Sequence, residues 1–254
     1  MRLDVYVFEN GFASSRTEAK NFISDGAVTV NGKTVTKPSF DVSGNELITV
    51  DKSLKKYASR GGTKLEAALE QFDISVSGVN AIDIGASSGG FTDCLLKRGA
   101  RHVIAVDSGF GQLVNELRCD TRVTVFENYN ARYMQSSDFE YVPDFAVMDV
   151  SFISATYIIP AVSRILSDRG SFVCLIKPQF EVGRENIGKG GVVKSEKQRA
   201  LAVKKVTECA MGFGLMLKGV IESPIQGGDG NTEYLAYFRK ETTDEENYID
   251  TESE

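Results

Sequence analysis

Lys64, Asp149, Lys177 and Glu233 are the side chains in this sequence whose types could do chemistry together, each falling where a short motif meets the expected edge of a glycine-rich α/β fold. An amine held against a carboxylate can position a hydroxyl and steady the charge that builds on its oxygen as it reacts. Two such amines and two such carboxylates, brought together, would orient and activate a ribose hydroxyl. Taken singly, each has a blander reading as a solvated surface ion pair, which three strand ends and a helix start share less easily.

The segment Asp83-Ile84-Gly85-Ala86-Ser87-Ser88-Gly89-Gly90-Phe91-Thr92 joins the expected first sheet strand to its helix, where folds of this kind take their ligands. Glycines there let backbone approach a bound molecule with no side chain between. Ala86 and Ser87 follow Gly85 and no third glycine has the required spacing, so this is not the GxGxxG dinucleotide fingerprint, nor is it a phosphate-cradling GxxxxGK(S/T) loop. A nucleotide-like cofactor and a purely structural glycine turn both remain open readings. Asp107 ends the second strand, the position from which an acid holds ribose hydroxyls; a helix cap is the alternative. Glu127 and Asn130 follow the third strand and are weaker candidates for an adenine or ribose contact. Asp149 closes the fourth strand after an apolar run. Lys177 closes the fifth in Leu175-Ile176-Lys177-Pro178-Gln179-Phe180-Glu181, with Pro178 stopping the strand. Glu233 begins the last strand, after the turn Gly227-Gly228-Asp229-Gly230.

Two modules must position these groups. Residues 2–9 read as a short helix, and Ser14 or Ser15 caps a second whose apolar side is Ala19, Phe22 and Ile23, leaving Arg16 and Lys20 on the other. Ala27 to Val30, the hairpin signal Asn31-Gly32, Lys33 to Val35 and a strand from Glu46 to Val50 complete a module of 1–58. Lys52, Lys55, Lys56 and Arg60 bridge to the second, 59–241. There a helix from Thr63 places Lys64 in its first turn. Strands then alternate with helices: Asn80–Ile84, helix Phe91–Arg98, His102–Val106, helix Gln112–Leu117, Val123–Glu127, Phe145–Asp149, helix Ser154–Leu166, Ser171–Ile176, helix Lys194–Cys209, Leu215–Ile221 and Thr232–Phe238. Seven strands with helical crossovers predict a doubly wound α/β sheet, the last two strands pairing antiparallel. Residues 242–254 hold six acids and one aromatic and read as a disordered tail.

The formal net charge of the 254 residues is -6, which argues against a surface coated for nucleic acid. The average hides an asymmetry: residues 1–60 carry nine basic against seven acidic side chains, residues 61–254 twenty against twenty-eight. Nucleic-acid contact is therefore expected to begin at the N-terminal module. Cys94, Cys119, Cys174 and Cys209 form no CxxC pair and read as buried free thiols. A lone histidine, His102, cannot build a zinc site, so no metal is expected. Neither a signal peptide nor a bilayer-spanning run is evident, and a cytoplasmic protein is the expectation.

The constellation resembles the FtsJ-like methyltransferase core and its Lys-Asp-Lys-Glu tetrad, and residues 1–240 resemble the TlyA family of rRNA 2'-O-methyltransferases, often named hemolysins. The resemblance rests on Ser59-Arg60-Gly61-Gly62-Thr63-Lys64-Leu65, the segment from Asp83 to Asp93, Gly111-Gln112-Leu113, Asp149-Val150-Ser151-Phe152-Ile153-Ser154 and Ile176-Lys177-Pro178-Gln179-Phe180-Glu181. It implies a Rossmann-like seven-stranded methyltransferase sheet behind a small α+β S4-like RNA-binding domain. It also implies Lys64, Asp149, Lys177 and Glu233 as catalytic residues. S-adenosylmethionine is the implied cofactor, held by Asp83, Gly85, Ser87, Ser88, Gly89, Gly90, Phe91, Asp107, Glu127, Asn130 and Asp149. The S4-like module would offer Arg16, Lys20, Lys33 and Lys37, with Arg60, to ribosomal RNA or ribosomal subunits, the acceptor being a cytidine in 16S or 23S rRNA or both. A monomer with no stable membrane partner is expected. Ser88 stands where the family loop often has threonine, and Ser108 replaces a small apolar residue after the ribose-binding acid. A non-catalytic RNA-binding or assembly factor would not need all four tetrad positions, a membrane-active hemolysin would need an inserting segment, and a nicotinamide oxidoreductase lacks its fingerprint.

Overall fold

Seven strands form the larger sheet in the order β6-β5-β4-β7-β8-β10-β9, where β4 is Asn80–Ile84, β5 His102–Val106, β6 Val123–Phe126, β7 Phe145–Met148, β8 Ser171–Ile176, β9 Leu215–Glu222 and β10 Tyr234–Lys240. The first five are parallel, and β10 runs antiparallel to both β8 and β9. Near-continuous burial along β4, β5, β7 and β8 is what parallel strands covered on both faces require. The direction of winding reverses between β4 and β7, and the crevice at such a reversal is the usual ligand site of an open α/β sheet. In this computed structural model the described residues are 1–13, 15–24, 26–52, 56–227 and 230–241. Ser14, Lys55, Gly228, Asp229 and the acidic segment 242–254, on all of which sequence expectations fell, lie outside them.

The chain divides into two compact units, Met1–Gly62 and a second beginning at Thr63. In the first, α1 (Leu3–Glu9) and α2 (Arg16–Ser24) accompany a three-stranded antiparallel sheet of β1 (Val28–Val30), β2 (Lys33–Thr34) and β3 (Ile48–Val50), in the order β2-β1-β3. Asn31 and Gly32 take φ of 50° and 75°, the left-handed pair that a two-residue hairpin turn demands. Ser15 caps α2, its Oγ accepting from Glu18 N at 3.1 Å. Leu3, Val7, Phe22, Ile23 and Val28 form the small core.

In the second unit α3 (Gly61–Gln71) buries Leu65, Ala68 and Leu69, and α4 (Gly90–Lys97) buries Phe91 and Leu95. Two expected helices are shorter than their periodicity implied. α5 is confined to Asn115–Arg118, because Gln112 and Leu113 are drawn onto the glycine loop: Ser87 Oγ donates to Gln112 Oε1 at 3.1 Å, and Leu113 fills the space beside Gly89. The run from Ser154 breaks into a single turn, Ala155–Tyr157, and α6, Ile159–Ile165, since Pro160 suits a first helical turn better than an interior. Beyond β8, Pro178–Glu181 make one unpredicted helical turn, α7, and α8 runs Glu196–Gly212 under a Ser195 cap. All four thiols are free, but contrary to the expectation of burial Cys209 is half-buried and Cys119 is exposed, the latter because α5 ends beside it at the surface.

Candidate active site

The reactive groups sit just outside the strands. Asp107, Asp149 and Lys177 each follow the last residue of β5, β7 and β8, and Glu233 precedes the first residue of β10. The ladders of β5 and β8 end where the sequence pattern put them, at Val106 and Ile176, whereas β7 stops one residue short of Asp149 and β10 starts two residues after the expected Thr232; at each of these ends the backbone turns and a polar side chain can reach the crevice. Tyr234 pairs with Ile176 in the β10–β8 ladder, so Glu233 and Lys177 lie at the next opposed step. Asp149 comes from β7, the other neighbour of β8.

Lys64, in the first turn of α3, places Nζ 2.5 Å from Glu233 Oε2, with both side chains almost fully buried. Gly227 lies against that carboxylate, for a Cβ there would sit 1.9 Å from Glu233 Oε1. Lys177 Nζ lies 2.5 Å from Asp149 Oδ1 in an ionic contact and donates to Ser151 Oγ at 2.8 Å. The four residues therefore form two amine–carboxylate pairs around adjoining strand ends. Sequence reasoning did not single out Ser151; its signal was its place two residues beyond Asp149, within reach of a lysine on the neighbouring strand.

Beside these pairs a cleft of about 470 Å³ runs across the ends of β4, β5 and β7, within the size range of small-molecule sites. Gly85, Ser87, Asp107, Asn130 and Asp149 line it, against an apolar wall that includes Val106, Val150, Ile153 and Ile158. Its charged side chains are both carboxylates, and no lysine or arginine lines it. That donor set suits a cationic nucleoside, with apolar wall for the base, an acid for ribose hydroxyls and a second acid for positive charge. A dinucleotide pyrophosphate would meet repulsion there.

Several cofactor candidates are committed elsewhere. Gly85, at φ 84°, has no room for a side chain, since a Cβ would lie 2.3 Å from Asp149 O. Gly89 is filled by Leu117 and Leu113, so its missing side chain serves packing. Ser88, Gly90 and the buried Phe91 do not line the cleft. Glu127 also falls outside it, accepting from Gly111 N at 2.9 Å and pairing with Arg118, which holds its carboxyl below the usual range. Asp107 lines the cleft while accepting from Ser87 N at 2.8 Å and Gly109 N at 2.7 Å. Asn130 also lines it and caps a short turn through Arg132 N. Asp83 is buried beneath the loop. Thr92 donates to its Oδ2 from N at 2.8 Å and Oγ1 at 2.6 Å, whereas Oδ1 has no protein partner. Burial pushes its pKa up to about 7 against those hydrogen bonds, with repulsion from Asp149 and Asp107 adding to the rise.

On the N-terminal unit Lys20, Lys33 and Lys37 are exposed and Arg60 is half-buried. Arg16 is half-exposed but partly engaged, with Nε 3.1 Å from the buried Asp4. Among the described residues no group of three or more potential ligands could hold a metal, and no helix is long and apolar enough to cross a membrane.

Residues 57–240 match the model of the FtsJ-like methyltransferases, and residues 1–48 that of the S4 domain. This chain belongs to the FtsJ-like methyltransferase family. The methyltransferase is 42% identical to the 16S/23S rRNA (cytidine-2'-O)-methyltransferase TlyA of Mycobacterium tuberculosis, over 95% of this chain and 90% of the relative. It is 44% identical to a protein named Hemolysin A from Brachyspira hyodysenteriae, over 94% and 99%. A solved structure from Streptococcus thermophilus, of a protein named as a hemolysin, superposes with a TM-score of 0.76 at 45% identity, covering 95% of the methyltransferase and 88% of that chain. These relatives place the methyltransferase in the TlyA branch of its family.

Proposed function

We propose that this enzyme transfers a methyl group from S-adenosylmethionine to a ribose 2'-hydroxyl of ribosomal RNA, on a cytidine of 16S or 23S rRNA or both. The observation that carries this reading is the pair of lysine–carboxylate contacts at adjoining strand ends beside a cleft lined by carboxylates and no cation. Bound S-adenosylmethionine supplies a methyl group on sulfonium, already electrophilic. Gly85, Ser87, Asp107, Asn130 and Asp149 would hold it.

The chain's own work is to place the acceptor and manage its proton. Lys177, oriented by Asp149 and Ser151, holds its ammonium against the ribose oxygen and stabilises the negative charge that builds there as the hydroxyl proton passes to water. Lys64, held by Glu233, positions the hydroxyl or the phosphate next to it. Burial of both pairs strengthens these interactions relative to water, and fixing the acceptor removes much of the entropy of a bimolecular encounter. The basic side chains of the N-terminal unit recognise RNA shape and backbone. The enzyme acts as a cytoplasmic monomer on RNA or ribosomal subunits.

Two measurements test this. Calorimetric titration should give binding of S-adenosylmethionine and none of NAD; the reverse overturns the cofactor. Mass-spectrometric mapping of rRNA after reaction should locate a 2'-O-methyl group. A base-methylated product would show that the acceptor chemistry is wrong, and binding without transfer would favour an assembly factor.

A further inference from the structure

A second concavity adjoins the active site on the other side of Phe152. About 730 Å³ in volume, it shares Phe152 and Ile153 with the cofactor cleft and is otherwise lined by residues that include Tyr157, Phe180, Arg184 and Lys205. The two spaces meet immediately after Ser151, the hydroxyl that accepts from Lys177. Phe152 stands on the divide with φ 64° and 93% exposure, its ring 5.2 Å from that of Phe180.

The chemistry of the two spaces is opposite. The cofactor cleft has carboxylates and no cation, whereas the second groove combines aromatic rings with basic groups in a region whose net charge is -8. Its one carboxylate, Glu181, is turned inward. Ser154 Oγ donates to it, as do Ala155 N at 2.7 Å and Lys205 Nζ at 3.1 Å. Arg184 is exposed, and among the described residues no acid pairs with it. Tyr157 is 59% exposed, and the Arg132 guanidinium lies 4.9 Å from its ring. A groove that offers ring faces together with cations matches the two repeating features of a single-stranded nucleic acid, stackable bases and phosphates.

We propose that this groove binds the RNA nucleotide next to the one being methylated, its base against Tyr157 and Phe180 and its phosphate at Arg184. The proposal rests on the reading above that the acceptor is an RNA ribose. A strand so placed runs out of the active site past Phe152, away from the cofactor, and splays the acceptor nucleotide from its neighbour. Tyr157 and Arg184 are then specificity-determining and touch neither the cofactor nor the reacting atoms.

The test compares full-length wild type, Tyr157→Ala, Tyr157→Phe and Arg184→Ala in methyl transfer to transcribed 16S and 23S rRNA and to ribosomal subunits, alongside S-adenosylmethionine titration. Tyr157→Ala should raise KM for RNA about tenfold with kcat and cofactor affinity unchanged, and Tyr157→Phe should restore it because stacking needs the ring and not the hydroxyl. Arg184→Ala should raise KM and lower the slope of log affinity against log salt by about 0.7, the signature of one lost phosphate contact on a single strand. Unchanged KM and salt slope, or a Tyr157→Phe as impaired as Tyr157→Ala, overturns the groove while leaving the function standing. Variants impaired on subunits but normal on naked rRNA would assign the groove to a ribosomal protein and overturn it equally. Wild type that methylates no RNA overturns the functional reading and this one with it.

Discussion

Lys177 and Asp83 show how burial sets the task of a charged side chain. Lys177 bridges Asp149 and Ser151 at the mouth of the cleft, and the proposed reaction uses it mainly as charge develops on the acceptor oxygen. Lys177→Ala should therefore lower kcat by about 10²–10⁴-fold while S-adenosylmethionine affinity stays close to wild type; an unchanged rate would place the reactive amine elsewhere. Asp83 makes a different kind of prediction. Its carboxyl, with pKa pushed up to about 7 chiefly by burial, holds a proton more tightly folded than unfolded. Its contribution to stability is accordingly full below the ordinary carboxylate range, declines as pH rises towards 7, and is level above that. Asp83→Asn keeps an acceptor for both Thr92 donors and cannot ionise. Its melting temperature should fall less between pH 5 and pH 8 than that of wild type, as differential scanning calorimetry would reveal; parallel profiles would mean that Asp83 stays charged throughout.

The glycine loop between β4 and α4 is the element on which the cleft depends. Gly85 combines φ 84° with backbone contact: an added Cβ would meet Asp149 O at 2.3 Å, and Gly85 N donates to Val106 O at 2.8 Å. Neither neighbour is the end of a flexible side chain, so Gly85→Ala must push β4 away from the Asp149 turn. A loss of about 1–3 kcal/mol is expected from the backbone conformation alone, with weaker S-adenosylmethionine binding, since Gly85 and Asp149 line the same cleft. Urea denaturation and titration of the same variant check both, and wild-type values in each would show that the loop yields easily. The cleft also explains why one expected helix, Gln112–Leu117, starts later than its pattern implied. Gln112 and Leu113 have helical spacing, but a hydrogen bond to Ser87 and packing against Gly89 hold them to the loop. Local pattern does not include a partner more than twenty residues away.

At the scale of the molecule, the division at Gly62 and Thr63 separates a basic module from an acidic one. Deleting residues 1–58 leaves α3 and its Lys64 whole and should preserve the core fold and S-adenosylmethionine binding, while methylation of rRNA or subunits falls steeply. Circular dichroism, titration and a methyl-transfer assay on the truncated enzyme test this, and full activity without the module would contradict the division of labour. The sequence by itself determined the sheet's strand count, the glycine loop and the placing of Asp107, Asp149, Lys177 and Glu233 at strand ends, because hydrophobic period and turn residues are local and each charge interrupts an apolar run. Only the tertiary structure decided which amine meets which acid. Lys64 and Glu233 are 169 residues apart, and their contact exists because β10 inserts beside β8. It likewise withdrew Glu127 to Arg118 and Gly111, gave Gly89 to leucine packing, and separated an anionic cleft from a cationic, aromatic groove across Phe152. Those outcomes follow from strand order and side-chain packing, which join residues distant in sequence and leave no mark on the spacing within any one segment.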